Sequence, residues 1–249
     1  MYFDRFFVSI HCFIFLAVSA LAVGAAEPVI REGVAKPFKS VIISASLREV
    51  ITSIAVEEGE RVSKGQVLVS LDAKKERLSA ERLEQMIAKA DFDYNAAKRL
   101  FAQNVSSRDE MLSKDVDLKR LQVELKIAKA EVDEREILAP LTGVVVHRYH
   151  EPGEAVNEAE PILKVIAEDQ LLLLFYLEAP MLSLLKMGDE IEVAFPEVSP
   201  QVVRKGAIKF IDPEVDARSG MFRVRLLMDN ADHAVRPGMK VRGVFPPMK

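Results

Sequence analysis

Val56-Glu57-Glu58-Gly59-Glu60-Arg61-Val62-Ser63-Lys64-Gly65-Gln66-Val67-Leu68 is the stretch that decides the fold, because a version of it returns later in the chain. The first copy extends from Val50 to Leu71; the second runs from Val144 through Pro152-Gly153-Glu154 and Val156 to Ile162 and Val165. Aligned on their Gly-Glu pairs, the copies match at Gly59/Gly153, Glu60/Glu154, Val62/Val156 and Leu68/Ile162. A repeat of about thirty residues is one supersecondary unit written twice. Alternating apolar residues on either side of a Gly turn make each copy half of a small β module. Neither half can bury its apolar face alone, so the two are expected to close on each other. Gly59, Gly65, Gly143, Gly153 and Gly238 read as structural turns with permissive backbone angles.

Between the copies, from Ala73 to Glu136, there is no Gly and no Pro. Ala, Leu, Glu, Lys, Gln and Arg dominate, all strong helix formers. One apolar seam runs Ala80, Leu83, Ile87, Ala90, Tyr94, Ala97, Phe101, with the alternating three-and-four spacing of a heptad. A second runs Met111, Leu118, Leu121, Leu125, Ala128, Val132, with Lys114 at one of its positions. The break lies at Gln103-Asn104-Val105-Ser106-Ser107, and Ser107-Arg108-Asp109-Glu110 fits a capping box. Two helices joined by so short a turn are expected to lie antiparallel, forming an arm of roughly 45 Å at 1.5 Å per residue. Val116, Val123, Ile127 and Ala130 lie off the second seam. They are either a flank for a neighbouring copy or ordinary surface apolar residues.

After Ile166 the pattern changes to short alternating strands: Leu171 to Leu177, Ile191 to Phe195, Ala207 to Ile211, Phe222 to Leu226 and Met239 to Val244. Ala179-Pro180 opens a short helical piece. Strands at this spacing suggest a small antiparallel barrel, and Pro28 to Lys39 could supply a further strand to it.

The chain has 249 residues, 49% of them apolar, and a formal charge of −4. That charge argues against nucleic acid, and no Lys/Arg cluster sits between aromatics. Arg5 precedes an apolar run from Phe6 to Val23, followed by Gly24-Ala25-Ala26. This reads as an export signal over 1–26, with a retained membrane anchor as the alternative. The single cysteine, Cys12, falls inside that run. The mature chain is therefore expected to fold without disulfides, as a periplasmic protein can.

In order along the chain, these motifs resemble the membrane fusion proteins, or periplasmic adaptor proteins, of bacterial efflux and secretion systems: the HlyD-like family and its RND-type adaptors. The resemblance rests on the Val56–Leu68 motif, on Ile137-Leu138-Ala139-Pro140-Leu141-Thr142-Gly143-Val144-Val145 and on Pro152-Gly153-Glu154-Ala155-Val156. It continues with Gly206-Ala207-Ile208, Ile211-Asp212-Pro213-Glu214-Val215-Asp216, Arg223-Val224-Arg225 and Arg236-Pro237-Gly238-Met239-Lys240-Val241. It implies a mixed β and α, elongated multidomain fold. Residues 27–40 would be a lead-in barrel strand, 41–72 with 137–167 a lipoyl-like domain, 73–136 an antiparallel α-helical coiled-coil hairpin, and 168–249 a small antiparallel β-barrel. Its partners would be an inner-membrane transporter of RND or ABC type, an outer-membrane channel protein and further copies of itself in a hexameric ring. The hairpin tip would carry the partner-binding residues Leu100, Asn104, Val105, Ser106 and Ser107. Leu100 and Ser107 match two members of the Arg, Leu and Ser set that such tips carry; Ala96 stands where the Arg would be. The family implies no catalysis, no cofactor, no metal and no nucleic acid, and a periplasmic location against the inner membrane.

Two other classes remain open. A biotin or lipoate carrier presents one Lys at the turn between its halves; here the hairpin replaces that turn, leaving Lys74 and Lys75 at its base and Lys186-Met187 as a partial biotin signature. A periplasmic metal-binding chaperone would need ligands, and His147 and His150 are the one close histidine pair. Three apart on a strand, they point to opposite faces.

Overall fold

The computed structural model describes residues 27–247; the expected export signal 1–26, with Cys12, lies outside them. The two repeat halves do close on each other, and they do so by exchanging strands. β2 (Glu49–Ile54) of the first half pairs antiparallel with β7 (Ala155–Val156) of the second, Glu49 opposite Val156. β3 (Arg61–Val62) of the first half pairs with β6 (Gly143–Arg148) of the second, Val62 opposite Gly143. Ile51, Val56, Val62 and Leu68 then share one apolar core with Val145, Val156, Ile162 and Val165.

The turns repeat too. In the first half Glu57 N–H donates to Glu60 Oε2 at 3.0 Å and Ser63 N–H to Gln66 Oε1 at 3.0 Å. In the second half Glu151 N–H donates to Glu154 Oε2 at 3.1 Å and Asn157 N–H to Glu160 Oε2 at 2.8 Å. Each turn needs one left-handed residue: Gly59 at φ +88°, Gly65 at +86°, Gly153 at +95° and, where the repeat departs from Gly, Ala159 at +63°. Gly238, in the barrel, stands at +99°.

Gly143 does not belong with them. It opens β6, and a Cβ there would lie 2.0 Å from the Ile166 carbonyl oxygen. It is Gly because strand β8 (Pro161–Glu178) passes too close for any side chain, not because the chain turns.

Between β4 (Val67–Leu71) and β5 (Glu136–Leu138) the chain leaves as helices α1 (Lys74–Ala102) and α2 (Arg108–Asp133). They lie antiparallel, with Glu76 paired to Arg135 at 2.8 Å and Glu84 to Lys129 at 2.8 Å. Ala80, Leu83, Leu121 and Ala128 form the buried seam, with Ile87, Ala90 and Leu125 packed against it. At 29 residues α1 is about 44 Å long. The seam loosens toward the tip: Phe101, its last residue, is 37% exposed.

Six strands close the barrel in the order β1 (Val29–Ser44), β12 (Lys240–Phe245), β9 (Glu190–Phe195), β10 (Val202–Ile211), β11 (Met221–Asp229), β8 (Pro161–Glu178), and β8 returns to pair with β1. Phe175, Phe195, Phe222 and Phe245 fill it; Phe175 and Phe245 meet edge to face at 5.1 Å. A 3₁₀ turn, Ala179–Leu184, buries Met181 in the same core. The sequence reading separates lead-in strand from sandwich near residue 40 and sandwich from barrel near 167. In the structure β1 and β8 cross both boundaries unbroken and pair with each other from Gly33↔Phe175 to Ser44↔Pro161. The pairing slips between Pro37 and Lys39, where a residue without an N–H meets a bulge.

Candidate functional site

The helical arm carries nearly half of the large apolar side chains that the described residues leave exposed. Its tip is a tight helix end followed at once by a capped helix start. Asn104 has φ +58°. Its N–H donates to Phe101 O at 2.9 Å, and the Val105 N–H reaches back to Leu100 O at 2.9 Å. That pair of bonds around a left-handed residue is the Schellman termination, with Asn in the place Gly usually takes. Ser107 is the N-cap of α2, its Oγ accepting from Glu110 N–H at 3.1 Å. Among the described residues the Glu110 carboxylate makes no return bond to Ser107, so the capping box is half formed.

The five residues singled out from sequence therefore sit on one turn. Leu100 and Val105 occupy the Schellman positions that often touch, yet Val105 remains 70% exposed and Leu100 42%. Asn104 supplies the backbone angle, Ser107 the cap, and Ser106 lies between them with Oγ donating to Ser107 O. Phe101 and Leu112, both exposed, extend the apolar tip on either side. Leu112 was legible as one more step of the Val116, Val123, Ile127 series, four residues earlier.

That series lies on the outward face of α2, interrupted between Val116 and Val123 by the exposed side chains of Lys119 and Arg120. At 100° per residue, Leu112, Val116, Val123, Ile127 and Ala130 fall about 160° from the α2 seam. Val116 is 63% exposed, Val123 55% and Ile127 56%. On α1, Leu78 and Phe92 face similarly away from the seam, and Phe92 is 68% exposed. Each helix thus buries one edge against its partner; on the outer side α2 leaves Val116, Val123 and Ile127 exposed, and α1 leaves the separate side chains Leu78 and Phe92.

At the root, the arm is fastened to the sandwich. Asp72 Oδ1 accepts from Lys74 N–H at 3.0 Å, Asp72 N–H donates to Val50 O at 2.9 Å, and Leu71 N–H donates to Arg135 O at 2.8 Å. The Glu76–Arg135 pair closes this base with both side chains largely buried, 19% and 14% exposed.

His147 and His150 do not come together: the His147 ring neighbours Tyr149, whereas His150 lies between Glu154 at 2.8 Å and Glu160 at 3.5 Å. Glu154 is held below the usual carboxylate range chiefly by the Glu151 N–H, then by His150; Glu160 is lowered by the Asn157 N–H and side chain. Among the described residues no group of three or more His, Cys, Asp or Glu side chains is arranged to hold a metal. Among the same residues no helix is long and apolar enough to cross a membrane.

Comparison with known proteins agrees with this layout. Residues 39–167 match the family model described as a CzcB-like barrel-sandwich hybrid domain, and 177–247 match that of a CusB-like beta-barrel domain. An uncharacterized protein of Haemophilus influenzae is 26% identical over 226 residues, covering 89% of this chain and 59% of its own length. The cation efflux system protein CzcB of an Alcaligenes strain is 22% identical over 220 residues, covering 82% of this chain and 42% of its own. The chain thus spans about half the length of the curated relatives it matches. A crystal structure of a MacA–MexA chimera carrying the Pseudomonas aeruginosa MexA α-hairpin domain shares the fold at a TM-score of 0.77 and 18% identity, over 89% of this chain and 81% of that one. With the sandwich, the intervening helices and the barrel in this order, and a family model covering more than half its length, the chain belongs to the CzcB-like barrel-sandwich hybrid family of membrane fusion, or periplasmic adaptor, proteins.

Proposed function

We propose that this protein is a non-enzymatic periplasmic adaptor that links an inner-membrane transporter, of RND or ABC type, to an outer-membrane channel in a tripartite efflux system. One observation carries this reading: a two-helix arm, fastened at its root, that exposes apolar side chains at its tip and along both outer edges. In this reading the sandwich is a lipoyl-like module without its lipoyl lysine, and the arm is a coiled-coil hairpin. The domains divide near residues 41, 73, 137 and 168, with 1–26 directing export. The barrel faces the transporter and the inner membrane.

The two outer edges differ, α2 presenting Val116, Val123 and Ile127 and α1 presenting Leu78 and Phe92. An interface between unlike edges repeats head to tail and closes into a ring when the rotation allows. We place six copies in that ring. Leu100, Asn104, Val105, Ser106 and Ser107 then form its rim and meet the outer-membrane channel. The name of the CzcB relative makes metal cations the first cargo class to test.

The test is export by a deletion strain complemented with Leu100→Asp or Val105→Asp, scored as survival on a panel of metal ions and amphiphilic toxins. Both positions are exposed, so melting temperature and expression should match the parent while resistance falls to the deletion level. Parental resistance in both variants would remove the tip from the mechanism. A mass increment on a lysine of the purified protein would instead favour a cofactor carrier.

A further inference from the structure

The barrel has two ends. At one, β1 and β8 run on into the sandwich; at the other, β8 stops at Glu178 and the 3₁₀ turn Ala179–Leu184 begins. Large exposed apolar side chains gather at this second end, and four separate segments supply them. Ile30 is the second residue of β1, Tyr176 stands two residues before the end of β8, and Met221 opens β11. Leu182 in the turn and Met187 just after it complete the set. Backbone and side-chain bonds hold these segments around one rim: Met221 lies opposite Glu178, Ala179 N–H donates to Gly220 O at 3.0 Å, and Arg31 Nη2 donates to Glu178 Oε1 at 2.7 Å.

The turn presents its apolar tips rigidly. In Ala179-Pro180-Met181-Leu182-Ser183-Leu184-Leu185-Lys186-Met187, Pro180 fixes the first turn. Met181 and Leu185 go inward and join the barrel core, which leaves Leu182 and Met187 pointing out with nothing to cover them. The charges on the rim largely cancel. Arg31 pairs with Glu178 and Arg223 with Asp212 at 3.0 Å, while Asp189 accepts from Lys186 N–H and Asp216 from the N–H groups of Arg218 and Ser219.

Two observations select the occupant. The first is shape. The cleft on this rim, about 300 Å³, is lined mainly by Asp212, Glu214, Asp216 and Arg223. Apolar tips that protrude around a polar cleft offer no apolar groove for a protein's knobs, whereas a fluid interface takes each tip where it stands. Tyr is a side chain suited to that interface, with an apolar ring and a polar end. Lys186, between Leu185 and Met187, can lay its stem on an apolar layer and keep its ammonium among headgroups. The second is where the chain enters. β1 begins at this rim, and only residues 24–28 separate it from the apolar run Phe6 to Val23. Six peptide steps reach about 20 Å at most, so that run, retained in a bilayer, would keep the rim beside it.

We propose that this rim is a membrane-contact surface: Leu182 and Met187, flanked by Ile30, Tyr176 and Met221, seat in the interfacial layer of a phospholipid bilayer, and Lys186 reaches its phosphates. The contact stands on the rim's geometry; that the bilayer is the inner membrane rests on the adaptor reading.

The chain has no Trp, so one introduced Trp reports its own surroundings. The full chain carrying Met187→Trp is mixed with an excess of phosphatidylcholine–phosphatidylglycerol vesicles whose acyl chains are brominated near the carbonyl end. Emission should shift to the blue and be quenched, at low and at high salt alike. Val203→Trp, comparably exposed but at the sandwich end of the barrel, should stay unquenched. Leu182→Asp added to Met187→Trp should cut the affinity of the rim for vesicles about tenfold without moving the melting temperature. An unquenched Met187→Trp signal, equal quenching at both positions, or quenching indifferent to Leu182→Asp would overturn the proposal. So would a Met187→Trp signal in cell membranes that is shielded from aqueous iodide yet untouched by brominated lipid, which would give the rim to a protein. Complementation of the deletion strain is read separately. Failed quenching beside normal export discards the contact alone, and quenching beside failed export by the parent discards the adaptor reading alone.

Discussion

Replacing Val123 and Ile127 together by Gln tests whether the outer edge of α2 is an assembly surface. Both side chains point away from the seam and are 55% and 56% exposed. Fully burying a Val or Ile side chain is worth about 1.5–3 kcal/mol. With a little over half of each still in water, about 1 kcal/mol per side chain remains for a neighbouring copy to gain. The pair should therefore weaken each contact by about 2 kcal/mol, roughly 30-fold in the association constant. A ring repeats the loss at every contact, so the closed assembly should vanish well before the single contact does. Gln propagates a helix well, and exposed substitutions usually stay within about 0.5 kcal/mol of the parent in stability, so the monomer should melt as before. Sedimentation velocity across a concentration series reads the association, and resistance in cells reads the consequence. If the double variant sediments with the parental concentration dependence and supports full resistance, the stripe is ordinary surface and the ring is built elsewhere.

Gly143→Ala places a Cβ 2.0 Å from a backbone oxygen that cannot rotate away; it should cost about 3 kcal/mol. Gly59→Ala, with nothing within 4 Å, should cost only the left-handed angle, about 1–2 kcal/mol, and urea titration of the two variants ranks them. Leu121→Pro breaks α2 at a buried seam position, costing about 3 kcal/mol or more, and should lower far-ultraviolet helicity while leaving the barrel folded. Glu154 is depressed below its ordinary value of 4.5. Its contribution is therefore complete above that value and disappears as pH falls through the lower folded one. Glu154→Gln should flatten the acid limb of melting temperature below pH 4.5, and an unchanged limb would show that the Glu151 turn does not couple to folding.

What was legible in the sequence is what depends on near neighbours. Ala80, Leu83, Leu121 and Ala128 are buried because a helix with one partner hides one stripe, and a stripe is written as spacing. Ser107 could be read as a cap because the N–H its Oγ accepts from is three residues away. The tip residues could be named, but their Schellman geometry could not, since Asn104 rather than Gly takes the left-handed angle. Pairing between distant segments was not written locally. Nothing near Gly143 tells that Ile166 passes over it, and nothing near Glu49 tells that its partner is Val156. The continuity of β1 and β8 was hidden by Pro37 and by Glu168-Asp169-Gln170. These polar and ring-closed residues look like linkers, yet they stay extended because Asn230 and Arg61 satisfy them from outside the strand.

That continuity decides where the molecule can bend. The arm cannot swing freely on the sandwich, since Leu71, Asp72 and the Glu76–Arg135 pair tie its root to the strands that carry it. The sandwich is closed by strands exchanged between its halves, so it cannot open without losing its core. The barrel is a closed ring of six strands with no free edge. Compliance is left to the two-stranded ribbon of β1 and β8, where pairing slips and a handful of side chains must hold the angle that hydrogen-bond register does not. A lever about 44 Å long amplifies any rotation at its root: a turn of roughly 10° at the bulge would carry the tip through about 8 Å, more than one helical turn. Small changes at residues 168–170 are therefore large changes at Leu100 and Val105.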